Sequence, residues 1–222
     1  MKKILCSISI LSILIDQFIK IYVKTHFIPG SGIYIFSFFW IFFVENPGMA
    51  YGYYLLPGYS GKLYLSILRL IFIIIILSFI IIFYKKYKYN KYSNYLIFPL
   101  VLICSGSIGN FFDSALYGLL FNTGTIYNHT IHKWVSYSEI SNFNNFICFN
   151  QKGGYASFMN GCVVDMFYLP IIDTYIPYNI PIIGGYKIKF FQFIFNFADI
   201  LITLGIILLF FFKNKIKKIK FF

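Results

Sequence analysis

The chain has 222 residues, of which 59% are hydrophobic, 23% aromatic and only 12% charged, with a mean hydropathy of +0.74. A water-soluble domain of this length cannot cover so much apolar surface with so few charges, so composition places the chain in a membrane. The formal net charge of +12 points to nucleic acid only until its distribution is read. Eleven lysines fall in three short runs: Lys2 and Lys3; Lys85, Lys86, Lys88 and Lys91; and Lys213, Lys215, Lys217, Lys218 and Lys220, with no acidic residue inside them. Each run abuts a long apolar stretch, the mark of cytoplasmic loops. A nucleic-acid site would instead be a basic face with aromatic platforms, and none is expected here.

The apolar runs are residues 4–22, 63–83, 95–112 and about 191–212. Each is close to the ~20 residues a helix needs to cross a ~30 Å hydrocarbon core. The expected fold is therefore a single all-α membrane domain over residues 1–222, with four transmembrane helices. Placing the basic runs on one side puts both termini in the cytoplasm, and segments 23–62 and 113–191 then face outward. The first run has lysines before it like a signal peptide, but no small-x-small cleavage site follows. Asp16-Gln17-Phe18-Ile19-Lys20 interrupts it instead, so it is expected to stay as a span.

In the first outer segment, residues 33–44 are aromatic and β-branched and end at Glu45-Asn46-Pro47-Gly48. This is a strand and turn pattern, expected to form a small sheet or hairpin at the interface, where aromatic rings settle. Residues 120–160 are rich in Asn, Ser, Gly and Tyr and read as an inserted loop or small subdomain. Residues 161–167 are apolar around Asp165, and a Pro/Gly-rich passage over 170–185 leads to the last span. Cys148 and Cys162 share the outer segment, where a disulfide is open to them. No CxxC or His/Cys cluster is present, so neither a metal site nor a dissociable cofactor is expected.

The chain has seven carboxylates, and their placement is the most informative pattern. Asp16, Asp113 and Asp199 lie in or beside spans, and Asp165 sits in an apolar stretch. Ionisable groups at such depth are costly and mark functional sites. Asp16 and Lys20 are i,i+4, while Asn110–Asp113 and Asn196–Asp199 are i,i+3, so each amide is placed to hold its neighbouring carboxyl. Arg69, six residues into the second run, is expected to snorkel outward. Two carboxyls close together in low dielectric share one proton, which equips a pair to activate water and protonate a carbonyl. The residues alone do not say which two acids pair.

These blocks resemble signal peptidase II, the lipoprotein signal peptidase of bacteria. Asp16-Gln17-Phe18-Ile19-Lys20 is similar to its DQxxK motif, and Asn46-Pro47-Gly48-Met49-Ala50-Tyr51-Gly52 to NxGxAFG, with Tyr for Phe. Residues 105–113, ending Gly109-Asn110-Phe111-Phe112-Asp113, resemble GGAxGNxxD. Val163-Val164-Asp165 and Phe195-Asn196-Phe197-Ala198-Asp199 resemble VVDF and FNxAD. The resemblance implies four transmembrane helices with a small extracytoplasmic β-cradle and a second periplasmic element. It implies an aspartic endopeptidase of the bacterial inner membrane, with its active site toward the outer face. Such an enzyme removes signal peptides from diacylglyceryl-prolipoproteins just before the lipid-modified cysteine. Asp165 and Asp199 would form the catalytic pair; Asn46, Asn110 and Asn196 would bind or orient substrate; Asp16, Lys20 and Asp113 would support the site. The chain is expected to act as a monomer among membrane lipids, on substrate entering from the bilayer. Many members carry an arginine after the third-block aspartate, where this chain has Ser114. A transporter with an acidic relay and a non-catalytic scaffold are the competing readings, but no internal repeat supports the first.

Overall fold

The computed structural model describes residues 2–36, 38–49, 53–54, 56–87, 90, 92–144, 153–170, 172–179, 181, 184–190 and 192–219. Helix α1 (Lys2–His26) is followed by strands β1 (Gly32–Phe36) and β2 (Phe39–Asn46), then by α2 (Gly58–Lys86) and α3 (Asn94–Phe112). A π-helical turn, Asp113–Tyr117, continues α3 into the short α4 (Gly118–Leu120). Strands β3 (Ile126–Asn128), β4 (Lys133–Val135), β5 (Val163–Tyr168), β6 (Ile172–Tyr175), β7 (Lys187–Phe190) and β8 (Ile194–Phe195) lead to α5 (Phe197–Phe211) and α6 (Lys213–Ile216).

Three helical stretches, Lys3–His26, Gly58–Lys86 and Asn94–Leu120, are long and apolar enough to cross a membrane. The last apolar run forms a shorter helix than its hydropathy promised. Ile194 and Phe195 belong to β8, Asn196 caps the helix, and α5 covers 15 residues; Phe191 lies outside the described residues. The capping box explains that start: the Asn196 side chain accepts from the Asp199 amide, and the Asp199 carboxylate accepts from the Asn196 amide. On α2, large apolar residues such as Ile71, Phe72, Ile74, Ile75, Phe79, Ile81 and Ile82 are exposed. Such a surface suits hydrocarbon and not water.

Helix α3 is the hub, touching α1, α2 and α5. Its contact with α5 is close because both sides carry glycine. A Cβ on Gly106 would stand 2.3 Å from the Ala198 carbonyl oxygen, and one on Gly205 would stand 2.7 Å from that of Pro99. Small residues let apolar helices approach until their backbones touch, where dispersion replaces the missing hydrophobic drive. Gly106→Ala is therefore expected to cost about 1–3 kcal/mol by overpacking, read as a lower unfolding midpoint in detergent. An unchanged midpoint would mean that the α3–α5 crossing is looser than this.

The largest sheet among the described residues has the order β1-β2-β5-β8, all antiparallel neighbours. This is the expected hairpin, enlarged by two later strands. Alternation along β5 sends Val164 and Met166 to one side, where they join Phe43, Val23, Tyr117 and Phe121 in a buried core. Asp165 is therefore turned to the other side. Pairing of Phe167 with Phe195 then brings the start of α5 alongside β5. Strand β6 lies in the Pro/Gly-rich passage and pairs as a two-stranded ribbon with β7, just beyond it.

Within 120–160, β3 and β4 pair as a short hairpin, and residues 145–152, Cys148 among them, lie outside the described residues. Cys162 is fully buried and its thiol donates to the Thr125 carbonyl at 3.5 Å. Burial and the nearby Glu45 carboxylate push that thiol up to about 12, so it stays protonated and unreactive. The insertion is pinned by Lys24, whose ammonium pairs with Glu45 and donates to the Thr123 carbonyl and the Tyr137 hydroxyl. Rings of Phe121, Tyr137 and Tyr155 stand about 5 Å from the same ammonium. The amide of Thr125 and the Tyr137 hydroxyl donate back to Glu45. Burial and that carboxylate push the phenols of Tyr137 and Tyr155 up, so both remain neutral.

Candidate active site

Five segments meet beneath the sheet. Asp165 arrives on β5, and Asn196 and Asp199 on the first turn of α5. Asn110 and Asp113 end α3, Asp16 and Lys20 lie on α1, and Asn46 closes β2. Asp165 is 5% exposed, and each of its oxygens is held by an amide: Oδ1 by Asn196 Nδ2 at 2.6 Å and Oδ2 by Asn46 Nδ2 at 3.2 Å. Asp199 is half-buried. Its Oδ1 accepts from Asn110 Nδ2 at 2.9 Å and its Oδ2 from the Asn196 amide at 3.2 Å. Asn196 thus binds both carboxylates, one with its side chain and one with its backbone. Burial, and next the Asp199 charge, push the Asp165 carboxyl up to about 7, against Lys20 and the two asparagine amides.

Behind this pair lies a charge cluster that water does not reach. The Lys20 ammonium, 0% exposed, stands 2.9 Å from each of Asp16 Oδ2, Asp113 Oδ2 and Asn110 Oδ1. Asp16 Oδ1 also accepts from the Ala198 amide at 2.9 Å, and Asp113 Oδ2 from the Val164 amide at 3.3 Å. Both carboxylates therefore grip the backbone immediately beside Asp199 and Asp165. Gln17 adds an amide at 2.9 Å from Asp113 Oδ1, and its own oxygen accepts from the Tyr117 hydroxyl at 3.1 Å.

The structure brings together the eight candidate site residues, Asp16, Lys20, Asn46, Asn110, Asp113, Asp165, Asn196 and Asp199, but two local pairings differ. Asn110 holds Asp199 across the helix boundary and not Asp113, because Lys20 already occupies Asp113. Asn196 and Asp199 exchange backbone bonds, as a helix cap, and not an amide–carboxyl bond. Arg69 does not snorkel. Its guanidinium donates to Ser114 Oγ and to the Gly48 carbonyl at 3.3 Å. Three members were missed as site residues: Tyr117, Lys62 and Gln17. Gln17 stood inside a quoted block, and its neighbours Asp16 and Lys20 were the available signal.

This set of interlocked carboxylates and amides at one end of the apolar helices has relatives. The model of the family described as "Signal peptidase (SPase) II" matches residues 8–213. A lipoprotein signal peptidase of Porphyromonas gingivalis is 36% identical over 210 residues, 93% of this chain and 81% of that protein. The chain belongs to the signal peptidase II family. That family consists of peptidases that cleave the signal peptides of prolipoproteins. The lipoprotein signal peptidase of Amoebophilus asiaticus is 27% identical over 205 residues, 91% of this chain and 74% of that one. A solved structure titled a bacterial membrane enzyme, 21% identical, matches with a TM-score of 0.56, covering 99% of this chain and 93% of its own. That likeness concerns the fold alone.

Proposed function

We propose that this signal peptidase II is an aspartic endopeptidase in which Asp165 and Asp199 form the catalytic dyad. It would cut diacylglyceryl-prolipoproteins just before the lipid-modified cysteine. The observation that carries the reading is Asn196 bound to both carboxylates, which fixes a buried and a half-open acid side by side. Two such acids hold one proton between them. The ionised member takes a proton from water as that water attacks the scissile carbonyl carbon. The protonated member donates to the carbonyl oxygen, and the resulting tetrahedral intermediate collapses with protonation of the leaving nitrogen. Asn46, Asn110 and Asn196 orient the dyad and the substrate backbone, while Asp16, Lys20 and Asp113 lock the segments that carry it. In this reading α5 and α6, spanning 197–216 together, make a fourth crossing. The three lysine runs then lie in the cytoplasm, and the site lies toward the outer face of the inner membrane. Substrate enters sideways, its acyl chains remaining in lipid, and one chain suffices.

The test is cleavage of a synthetic diacylglyceryl-prolipopeptide by purified protein in detergent, with and without EDTA. Cleavage before the modified cysteine, indifferent to EDTA, is expected. Failure of folded protein to cut would favour a transporter or scaffold, and loss with EDTA would point to a metal. The raised Asp165 carboxyl adds a pH signature. Its protonated form persists up to about pH 7, so activity that needs the shared proton is present below that pH and lost above it. The value kcat/KM is expected to fall about tenfold per unit above about pH 7. A level profile to about pH 9 would remove the shared proton from the mechanism.

A further inference from the structure

Helix α2 carries two cations into the same layer, and the dyad mechanism uses neither. Lys62 and Arg69 are seven residues apart, so they lie on one helical face. Lys62 is 2% exposed and its ammonium stands 3.4 Å from Ser114 Oγ. Arg69, half-buried, donates to that oxygen from one arm and to the Gly48 carbonyl from the other. Among the described residues neither cation forms an ion pair.

Ser114 is saturated by this arrangement. Its hydroxyl donates to the Asn110 carbonyl at 3.1 Å, and its two lone pairs face Arg69 and Lys62. It fixes the guanidinium in place without neutralising it. A guanidinium has five N–H donors, and the partners found among the described residues occupy two. The Gly48 contact also ties Arg69 to the dyad: the Gly48 amide donates to Asn46 Oδ1 at 2.9 Å, and Asn46 Nδ2 donates to Asp165.

Charge decides what the remaining donors suit. With one proton on the dyad, its single negative charge joins Asp16 and Asp113, and Lys20, Lys62 and Arg69 at most match these three. The layer carries no surplus positive charge before substrate arrives, so the acceptor that completes it is a neutral group and not an anion. Resting on the dyad assignment, we propose that Arg69 donates to a backbone carbonyl of the signal peptide beside the scissile bond and so sets its register. Arg69 on α2 then supplies a cation from the wall opposite Ser114, the position where many family members carry arginine.

The test compares wild type, Asp199→Asn, Arg69→Gln, Arg69→Ser and the swap Arg69→Ser/Ser114→Arg on the same synthetic prolipopeptide. Arg69→Gln is expected to lower kcat/KM about ten- to a hundredfold, as for a lost hydrogen bond to a charged group. The swap is expected to regain at least about tenfold over Arg69→Ser, because an arginine from position 114 reaches the same space. Full activity in Arg69→Gln overturns the assignment. Loss without recovery in the swap also overturns it, leaving Arg69 as a support of the Gly48 turn. Inactive wild type or active Asp199→Asn would instead bring down the dyad reading itself.

Discussion

Asp199→Asn is expected to lower kcat about a thousand- to ten-thousandfold, the upper range for a lost proton-transfer group, while the protein stays folded. The structure explains why chemistry and stability separate here. Asparagine keeps an oxygen for the Asn196 amide, so the helix cap survives. Its new NH2 group then faces Asn110 Nδ2, which now donates to Asp199. Asn110 cannot turn over to relieve this, because its Oδ1 is engaged by Lys20 at 2.9 Å and by Asn196 at 3.1 Å. One hydrogen bond is lost, a cost of about 0.5–1.5 kcal/mol. The same reasoning applies to Asp165→Asn, whose two oxygens face the amides of Asn196 and Asn46. Single-turnover cleavage and unfolding midpoints for both variants check this. An Asp199→Asn protein keeping more than about a tenth of the wild-type kcat would end the dyad assignment.

The sequence showed the charge layer better than it showed the wiring. Asp16 and Lys20 were legible because four residues along a helix is one turn, and the pair forms as that geometry requires. Periodicity carries no information about partners on other segments. Asn110 was assigned to Asp113 on spacing, yet Asp113 opens a π-helical turn whose wider winding buries Asp113, Ser114 and Tyr117 together. Arg69 was misplaced because it was read alone: Lys62, Ser66 and Arg69, spaced i, i+4 and i+7, make a polar stripe that marks the inner face of α2. Lys24 and Glu45 were invisible as a pair, since they join a helix to a strand and have no local signature. The aromatic and β-branched run over 33–44 did foretell strands, but residues 161–167 showed only an apolar stretch, and nothing foretold that β8 would border β5. That pairing is what carries the start of α5 to Asp165.

Lys20→Met is expected to lower unfolding free energy by about 3–5 kcal/mol, the usual cost of removing one partner from a buried ionic cluster. Methionine nearly matches the lysine volume, so the loss is electrostatic and not a cavity. Two carboxylates, Asp16 and Asp113, would be left 1% and 0% exposed with no cation between them. Their remaining partners, Gln17 and the amides of Ala198 and Val164, bring donors but no charge. Adding Asp113→Asn removes one of the two stranded charges, so the double variant should recover at least about 1 kcal/mol relative to additivity. Denaturant titrations in one detergent measure all three variants. Strict additivity would mean that Lys20 acts by filling space. Activity should follow the same cluster. Asn110 loses one of the two donors that fix its oxygen and keeps only Asn196, so its amide is held less firmly toward Asp199. The Ala198 and Val164 amides anchored by Asp16 and Asp113 adjoin Asp199 and Asp165, so loosening the cluster moves both members of the proposed dyad.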